Sequence, residues 1–300
     1  MMKPDWIALD WGSSRMRAWA MSESGAVRAS VECEQGVSQL QACDCESVLL
    51  GQVSAWIAPG AAIQVVACGM VGARQGWVEI PYLSAPCAPL GELVSAPTTG
   101  DQLDVWICPG IKQSQPADVM RGEEAQIAGL LARHAEFDGV VCLPGTHSKW
   151  VRVCGGEVKS FRTFLTGELF SLLADQSVLR HSLAGDGWDS AAFLDAAQQM
   201  VSAPEMLTSK LFSIRAESLL GEETAAASRA RLSGFLIGAE LAATRSLWHE
   251  GAELALIGAG RLADLYVTAL GAQGRVVTTY PGDELVVAGL SAAHSNLNRP

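Results

Sequence analysis

"VVCLPGTHSKWVRV", residues 140–153, is the stretch of sequence that decides the fold. An apolar run stops at Pro144-Gly145-Thr146-His147 and then resumes, which is the pattern of two strands joined by a tight turn. Glycine lets a ligand approach the backbone closely, and the threonine hydroxyl and turn amides can donate to phosphate oxygens. The stretch therefore predicts a hairpin whose tip, Gly145 and Thr146, holds a phosphate group.

A second turn of the same shape occurs near the start of the chain, in "WIALDWGSSRMRAWAM". It lies between the first two of three predicted antiparallel strands. Gly12, Ser13 and Ser14 are predicted to bind phosphate, and Asp10 is predicted to hold Mg²⁺ through water, since magnesium keeps much of its hydration shell. A plain hairpin turn with a strand-ending aspartate explains these residues equally well.

A third glycine motif, Gly258-Ala259-Gly260, follows the strand-like "LALI" and precedes a predicted helix. Gly258 and Gly260 would allow close approach of an adenosine or phosphate group, and the N-terminus of a helix favours anions. A Gly-x-Gly sequence alone is weak, because a short strand-to-helix turn has the same form. The order of the three turns along the chain strengthens each of them.

Between these turns the sequence alternates strand-like and helix-like segments, as in an α/β protein. The polar stretch "KQSQPAD", residues 112–118, is predicted to cross between two lobes. Residues 189–250 are predicted to be helical in several pieces. The last predicted helix, residues 283–295, could pack back on the first lobe.

Composition limits the classes of function. The chain has 300 residues, 18% of them charged, with a formal net charge of -11, so two well-packed domains are expected and a nucleic-acid or membrane surface is not. The N-terminus shows no signal-peptide pattern, and no apolar run is long enough to span a bilayer. The eight cysteines are scattered and form no metal cluster. A cytoplasmic protein is expected.

The order of these motifs resembles the superfamily of sugar kinases, actin and Hsp70. Within it, "GMVGARQGWVEIPYLSAP", "MRGEEAQIAGL", "LPGTHSKWV", "FRTFLTGEL" and "LSGFLIGAE" resemble the 2-dehydro-3-deoxygalactonokinase family over nearly the whole chain. The resemblance implies two ribonuclease-H-like (actin-like ATPase) lobes, with mixed sheets flanked by helices and an active-site cleft between them. Residues 1–112 would form the lobe with the first phosphate turn and part of the sugar site. Residues 113–300 would carry the catalytic acid, the second phosphate turn and the adenosine motif.

The resemblance also implies the chemistry: Mg²⁺-dependent transfer of the ATP γ-phosphoryl group to the 6-hydroxyl of 2-dehydro-3-deoxy-D-galactonate. Related carbohydrate kinases carry Gly-Asp at a helix N-terminus about twenty residues before the second phosphate turn, and Gly122-Glu123 stands at that place. Glu123 is therefore the expected base, with Glu124 and Asp10 as rivals. Acids in the first turn of a helix also simply complement its dipole.

A keto acid substrate carries a carboxylate, which a guanidinium group binds well. Arg162 and Arg121 are the leading candidates for this contact, and Arg74 is a third. The other expected substrate-binding residues are Met70, Gly72, Trp77, Thr166 and Glu168. A loop with buried aromatic anchors at residues 69–82 and a helix N-cap at Thr166 are the plain structural alternatives. His147 is expected to be structural.

Three other functions remain open at this point. One is a kinase for the epimeric 2-dehydro-3-deoxygluconate, which differs by one hydroxyl configuration. The second is an actin-like ATPase without a small acceptor, and the third is a sugar-acid sensor on the same fold. The expected partners are ATP and a sugar acid, with a homodimer as an open alternative.

Overall fold

The structure is a computed structural model that describes residues 3–221, 223–247 and 251–298. Its strands are β1 (Trp6–Trp11), β2 (Met16–Met21), β3 (Val27–Cys33), β4 (Ile63–Gly69), β5 (Leu83–Ser84), β6 (Val94–Ser95), β7 (Leu103–Ile107), β8 (Ile111–Ser114), β9 (Ala117–Met120), β10 (Gly139–Leu143), β11 (Ser148–Cys154), β12 (Glu157–Phe164), β13 (Glu253–Ile257) and β14 (Thr278–Tyr280). Its α-helices are α1 (Cys45–Val53), α2 (Glu123–Arg133), α3 (Thr166–Gln176), α4 (Ser190–Ser202), α5 (Leu207–Leu220), α6 (Ala225–Thr244), α7 (Gly260–Gly271) and α8 (Gly282–Leu297).

The chain forms two compact units. The first contains the described residues up to Phe137, Cys154–Ser160 and the chain from Pro281 onward; the second contains Asp138–Val153 and Phe161–Tyr280. The sequence placed the boundary at residue 112, whereas residues 113–137 group with the first unit. The reason is that α2 and α8 pack closely on each other within that unit.

The first unit is built on a sheet with strand order β3-β2-β1-β4-β7-β6. The central strand β1 is antiparallel to β2 and parallel to β4. Because successive side chains on a strand point to opposite faces, Ile7 and Leu9 pack toward the cluster that includes Leu49 of α1. Trp6 and Ala8 belong to the cluster on the other face, which includes Leu290 of α8. The unit therefore has helices on both faces of its sheet.

A small sheet, β5-β8-β9, completes the first unit and corrects one expectation. Residues 112–118 do not cross between lobes but form most of the antiparallel hairpin β8-β9, inside the first unit. Ile111 and Met120 pair across this hairpin and are buried, while most of the hairpin's other residues are exposed or half-buried. A hairpin with so little buried surface has a polar sequence, which explains the wrong interpretation.

The second unit repeats the pattern of the first, with strand order β12-β11-β10-β13-β14. Here β10 is antiparallel to β11 and parallel to β13. Residues from β10, β11 and β13 share a core with α4, α6 and α7. The fold class is thus confirmed: the protein is α/β, with a mixed sheet flanked by helices in each unit.

The strand order places the two predicted phosphate turns at equivalent positions of the two sheets, each after the first strand. The first turn joins β1 to β2, and the second joins β10 to β11. The helix predicted to reach Glu250 is α6 followed by a short 3₁₀ segment, Arg245–Leu247, and residues 248–250 lie outside the described residues. Within the described ranges, no helix combines the length and apolar character needed to cross a bilayer.

Candidate active site

The first turn, residues 12–14, is held from behind by a neighbouring segment of the first unit. Ser38 N donates to Ser13 O at 3.0 Å, and the Ser38 hydroxyl donates to the same oxygen at 2.6 Å. A Cβ on Gly36 would lie 2.0 Å from Ser13 O, so only glycine fits there. Gly36 belongs to no recognisable motif in the sequence. Both serines of the turn are exposed, which suits a phosphate-binding role.

Asp10, at the end of β1, is paired with a cation from the next strand. Arg17 Nη2 lies 2.5 Å from Asp10 Oδ2, and Arg17 Nη1 pairs with Asp283 near the start of α8. Burial acts to lower the pKa of Arg17, but the two carboxylates raise it, and the net pKa is above its ordinary value. The guanidinium group therefore stays charged and shares its charge between Asp10 and Asp283.

The residues around Asp10 fit the predicted magnesium role through water. The side chain is 17% exposed, and Asp10 Oδ1 faces Cys68 Sγ at 3.8 Å instead of a second cation. A carboxylate in this setting retains lone pairs for a magnesium-bound water. Over residues 3–221, 223–247 and 251–298, no group of three or more His, Cys, Asp or Glu side chains could hold a metal ion directly.

Two glutamates begin helix α2 in different environments. Glu124 is fully buried, and both of its carboxyl oxygens accept from Gly122 N, at 2.7 and 2.8 Å. Burial, and after it the charge of Glu123, raises the pKa of Glu124 to about 8. Glu123 is only partly buried, and its Oε2 accepts from Arg121 N at 3.1 Å. At neutral pH Glu124 is thus mostly uncharged, and it is closed to solvent.

The loop at residues 69–82 is anchored largely from inside the first unit. Trp77 is buried in the core and donates through Nε1 to Pro97 O at 2.9 Å. Arg121 Nη2 donates to Ile80 O at 2.7 Å, and the guanidinium group lies 4.2 Å from the centre of the Tyr82 ring. Through these contacts Trp77 and Arg121 hold the loop in place.

Gly72 belongs to the same anchor. A Cβ at this position would lie 2.9 Å from Arg121 Nη1, so the glycine makes room for the guanidinium group. Met70 is partly buried, and Arg74 is exposed. The substrate-binding roles predicted for Met70, Gly72, Trp77, Arg74 and Arg121 stay predictions.

The second turn is held by the first turn of helix α3, within the second unit. Glu168 N donates to Thr146 O at 3.0 Å, and a Cβ on Gly167 would lie 2.4 Å from Gly145 O. His147 Nε2 lies 2.5 Å from Glu168 Oε2, so both side chains fix the turn to α3. This contact supports a structural role for His147 and occupies one oxygen of Glu168. Gly167 could have been suspected from the "LTGEL" stretch that contains it.

Two other predicted residues also contact neighbours in the second unit. Thr166 is buried and donates its hydroxyl to the carboxyl group of Glu240 on α6. The residue at the N-cap of α3 is Leu165, so Thr166 does not take the capping role, and its predicted role in substrate binding stays a prediction. Arg162 donates to Ala243 O at 3.3 Å.

A cavity of about 610 Å³ opens beside the second turn, and all its lining residues belong to the second unit. They come from the turn, α3, α6, α7 and the loop before α4: Gly145, Thr146, Thr166, Gly167, Phe170, Ser171, Trp188, Arg229, Ser233, Leu236, Ile237, Arg261, Leu262, Leu265 and Tyr266. The Arg261 guanidinium group lies 3.9 Å from the centre of the Trp188 ring. Mostly apolar walls with a few hydroxyls and cations, in a volume of this size, are typical of a small-molecule site.

The parallel pairing of β10 and β13 brings the late glycine motif to this cavity. The carboxyl ends of parallel strands lie at the same edge of a sheet, where ligands bind in open α/β sheets. Accordingly, a Cβ on Gly258 would lie 3.8 Å from Pro144 Cδ. Gly260 has φ of +67°, which glycine adopts readily, and begins α7, whose next residue is Arg261. The second and third predicted motifs are thus neighbours in space.

The chain matches known proteins of one family over nearly its full length. Residues 10–293 match the family model described as 2-keto-3-deoxy-galactonokinase. A Rhizobium meliloti (strain 1021) protein named "Probable 2-dehydro-3-deoxygalactonokinase" is 42% identical, covering 96% of each chain. An Escherichia coli (strain K12) 2-dehydro-3-deoxygalactonokinase is 34% identical, covering 99% of this chain and 100% of the relative.

Solved structures extend the comparison to the fold. A crystal structure from Sinorhizobium meliloti, of a protein provisionally named for the same activity, is 39% identical with a TM-score of 0.89, covering 98% of this chain and 100% of that one. An activator of 2-hydroxyisocaproyl-CoA dehydratase from Clostridium difficile, solved with bound ADPNP, has a TM-score of 0.51 at 11% identity, and covers 97% of this chain and 94% of that one. That second likeness concerns the fold alone. The family match, together with relatives that match over nearly their full length, shows that the chain belongs to the 2-keto-3-deoxy-galactonokinase family.

Proposed function

We propose that this chain transfers the γ-phosphoryl group of ATP to the 6-hydroxyl of 2-dehydro-3-deoxy-D-galactonate, giving the 6-phosphate and ADP. Membership of the family makes the chain a sugar-acid kinase. The observation that carries the specific reaction is the pair of relatives at 42% and 34% identity. Both are named for this activity, and both match this chain over nearly their whole length. The reaction belongs to the breakdown of D-galactonate and galactose.

The proposed place for the adenosine of ATP is the cavity beside the second turn. Its volume of about 610 Å³, its apolar walls and the adjoining Gly258 and Gly260 support this assignment. Gly145 and Thr146, at the mouth of the cavity, are the proposed donors to phosphate in this unit. Gly12, Ser13 and Ser14 are the proposed donors in the first unit, because they form the equivalent turn of its sheet.

Phosphoryl transfer requires charge neutralisation and a base for the attacking hydroxyl. Mg²⁺, when bound, neutralises charge on the transferred group, and Asp10 is its proposed partner through water. Glu123 is the proposed base that takes the proton of the 6-hydroxyl. Glu124 is a poorer choice because it is closed to solvent and bonded to Gly122 N. Asp10 is poorer as well, because Arg17 already occupies one oxygen of its carboxyl group.

The carboxylate of the substrate needs a guanidinium partner. Arg162 remains the leading proposal because it is half-buried and is held by the carbonyl group of Ala243. Arg121 is second, since one of its nitrogens already holds Ile80 O. Five further residues are proposed to shape the sugar site: Met70, Gly72, Trp77, Thr166 and Glu168. Several of them would do so by holding neighbouring segments through the contacts described above.

A coupled assay of ADP release tests the reaction. Purified protein with Mg-ATP is given 2-dehydro-3-deoxygalactonate, its gluconate epimer, or no acceptor. ADP release that depends on the galactonate-derived acid, at a kcat/KM above that for the epimer, is the expected result. A preference for the gluconate epimer would correct the substrate. Equal release without any acceptor would overturn the kinase assignment in favour of an ATPase.

A cytoplasmic location and a homodimer are further proposals. Size-exclusion chromatography with light scattering measures the oligomeric state directly. A mass close to the 31.6 kDa of one chain would exclude the dimer under the conditions used.

A further inference from the structure

A buried carboxyl group lies beneath the cavity, on helix α6. Glu240 is 3% exposed and is bonded by three side chains. Trp150 Nε1 donates to Oε1 at 2.6 Å, Tyr266 OH donates to Oε2 at 2.8 Å, and the Thr166 hydroxyl donates to Oε2. Among the described residues, no lysine or arginine forms a salt bridge with Glu240. Burying an acid in this way costs free energy that these hydrogen bonds must offset.

The three donors come from three separate elements around one end of the cavity. Trp150 is on β11, which follows the second turn directly; Thr166 begins α3; and Tyr266 is on α7. A fourth side chain extends the network, because the Ser148 hydroxyl lies 2.9 Å from Tyr266 OH. One carboxyl group therefore joins the strand after the turn to both helices that flank it.

The network also touches the cavity wall. Thr166 and Tyr266 both line the cavity, as do Leu236 and Ile237, which precede Glu240 by about one turn of α6. Helix α3 also holds Gly145 and Thr146 of the second turn, as described above. Any change in the distance between α3, α7 and β11 must therefore change the position of the turn relative to the cavity.

We propose that Glu240 is a positioning residue for the nucleotide, which holds β11, α3 and α7 so that the second turn can bind phosphate. The inference rests on the proposed assignment of the cavity to ATP. Glu240 does not touch the nucleotide, and its effect falls mainly on nucleotide binding. Binding of the sugar acid is affected through Thr166, which is also proposed to shape the sugar site.

The hydrogen bonds predict which replacements are tolerated. Methionine has a similar length but no strong acceptor, so Glu240→Met removes the carboxyl acceptor of the Trp150 N–H and of the Thr166 and Tyr266 hydroxyls. Glutamine can turn its oxygen to Trp150 and its NH₂ group to the hydroxyls of Thr166 and Tyr266, which can reverse their roles. Glu240→Gln should therefore rescue most of the loss. Thr244→Val is the matched control, because Thr244 is buried on the same helix and its hydroxyl donates within that helix to Leu241 O, at 3.1 Å.

The test is calorimetric titration of each folded variant with MgADP, together with KM for the sugar acid. We expect Glu240→Met to raise the Kd of MgADP about tenfold or more, a larger change than that in KM for the sugar acid. Glu240→Gln and Thr244→Val should stay within about threefold of wild type. Wild-type affinity in folded Glu240→Met, or an equal loss in Thr244→Val, would overturn the inference.

A second variant covers the case in which Glu240→Met does not fold. Tyr266→Phe keeps the ring and removes only the hydroxyl that links Glu240 to Ser148, so it should weaken MgADP binding about threefold to fivefold. Unchanged affinity in that variant would also overturn the inference. If wild-type protein binds no MgADP, the proposed function itself fails, and the inference fails with it.

Discussion

Replacing Gly167 with alanine tests how closely helix α3 must approach the second turn. The added Cβ would lie 2.4 Å from Gly145 O and 2.8 Å from Thr146 Cα, which is about 1 Å inside ordinary van der Waals contact. Backbone atoms cannot rotate away as a side chain can, so the helix and the turn must separate by about this distance. A shift of about 1 Å in a group that positions a substrate can cost about a hundredfold in rate.

We therefore expect kcat/KM for ATP to fall about 30-fold to 100-fold in Gly167→Ala. The assay is coupled ADP release with saturating sugar acid and varied Mg-ATP, on protein whose melting temperature has been measured. Gly271→Ala is the matched control, because it makes the same change in α7 of the same unit, where the new Cβ would meet open space beyond its own helix backbone. Wild-type kcat/KM for ATP in folded Gly167→Ala would refute the argument that the turn binds phosphate in this position.

The remaining predictions concern the two glutamates of α2 and the wall of the cavity. Glu123→Gln should lower kcat about 10²-fold to 10⁴-fold while MgADP still binds, by calorimetry, because a general base is lost and the nucleotide site is not; near-normal kcat would move the base elsewhere. Glu124 has a pKa of about 8 in the folded protein, above its ordinary value of 4.5, so its contribution to stability is present at low pH and is lost as pH rises toward and through 8. Glu124→Gln should remove that part of the pH dependence of the melting temperature, and an identical profile in the variant would contradict the burial argument. Trp188→Ala removes the ring under Arg261 and should raise the Kd of MgADP about tenfold; an unchanged Kd would place adenosine outside this cavity.

The elements that could be predicted from sequence are those whose pattern is local. The hairpin β10-β11 and the strands β1 to β3 follow from apolar alternation and glycine turns over short stretches of chain. The hairpin β8-β9 was missed because it buries so few side chains that its sequence is polar and carries no alternation. The lobe boundary differed for another reason, since the packing of α8 on α2 joins segments about 150 residues apart.

The same distinction applies to the candidate site. The three glycine turns were visible because each is a compact motif, and the structure places the second and third together. The groups that hold them were not visible: Gly36 approaches Ser13 from another segment, and Glu240 reaches Thr166 across 74 positions of sequence. Glu240 ends the stretch "LSGFLIGAE", but that stretch does not show which side chains its carboxyl group reaches until the helix is placed against its neighbours.

The return of α8 to the first unit has a consequence for the way the protein is made. Gly129 of α2 and Gly289 of α8 allow such close contact that added Cβ atoms would lie 1.9 Å from Leu285 O and Ala125 O, respectively. Trp6 stacks on His294 with ring centroids 4.2 Å apart, and both strand β1 and helix α2 are covered by α8. On the ribosome, α8 emerges only after the whole second unit has been synthesised. The second unit is continuous over most of its length and can fold as it emerges. One apolar face of the first sheet, in contrast, stays uncovered until α8 has been synthesised.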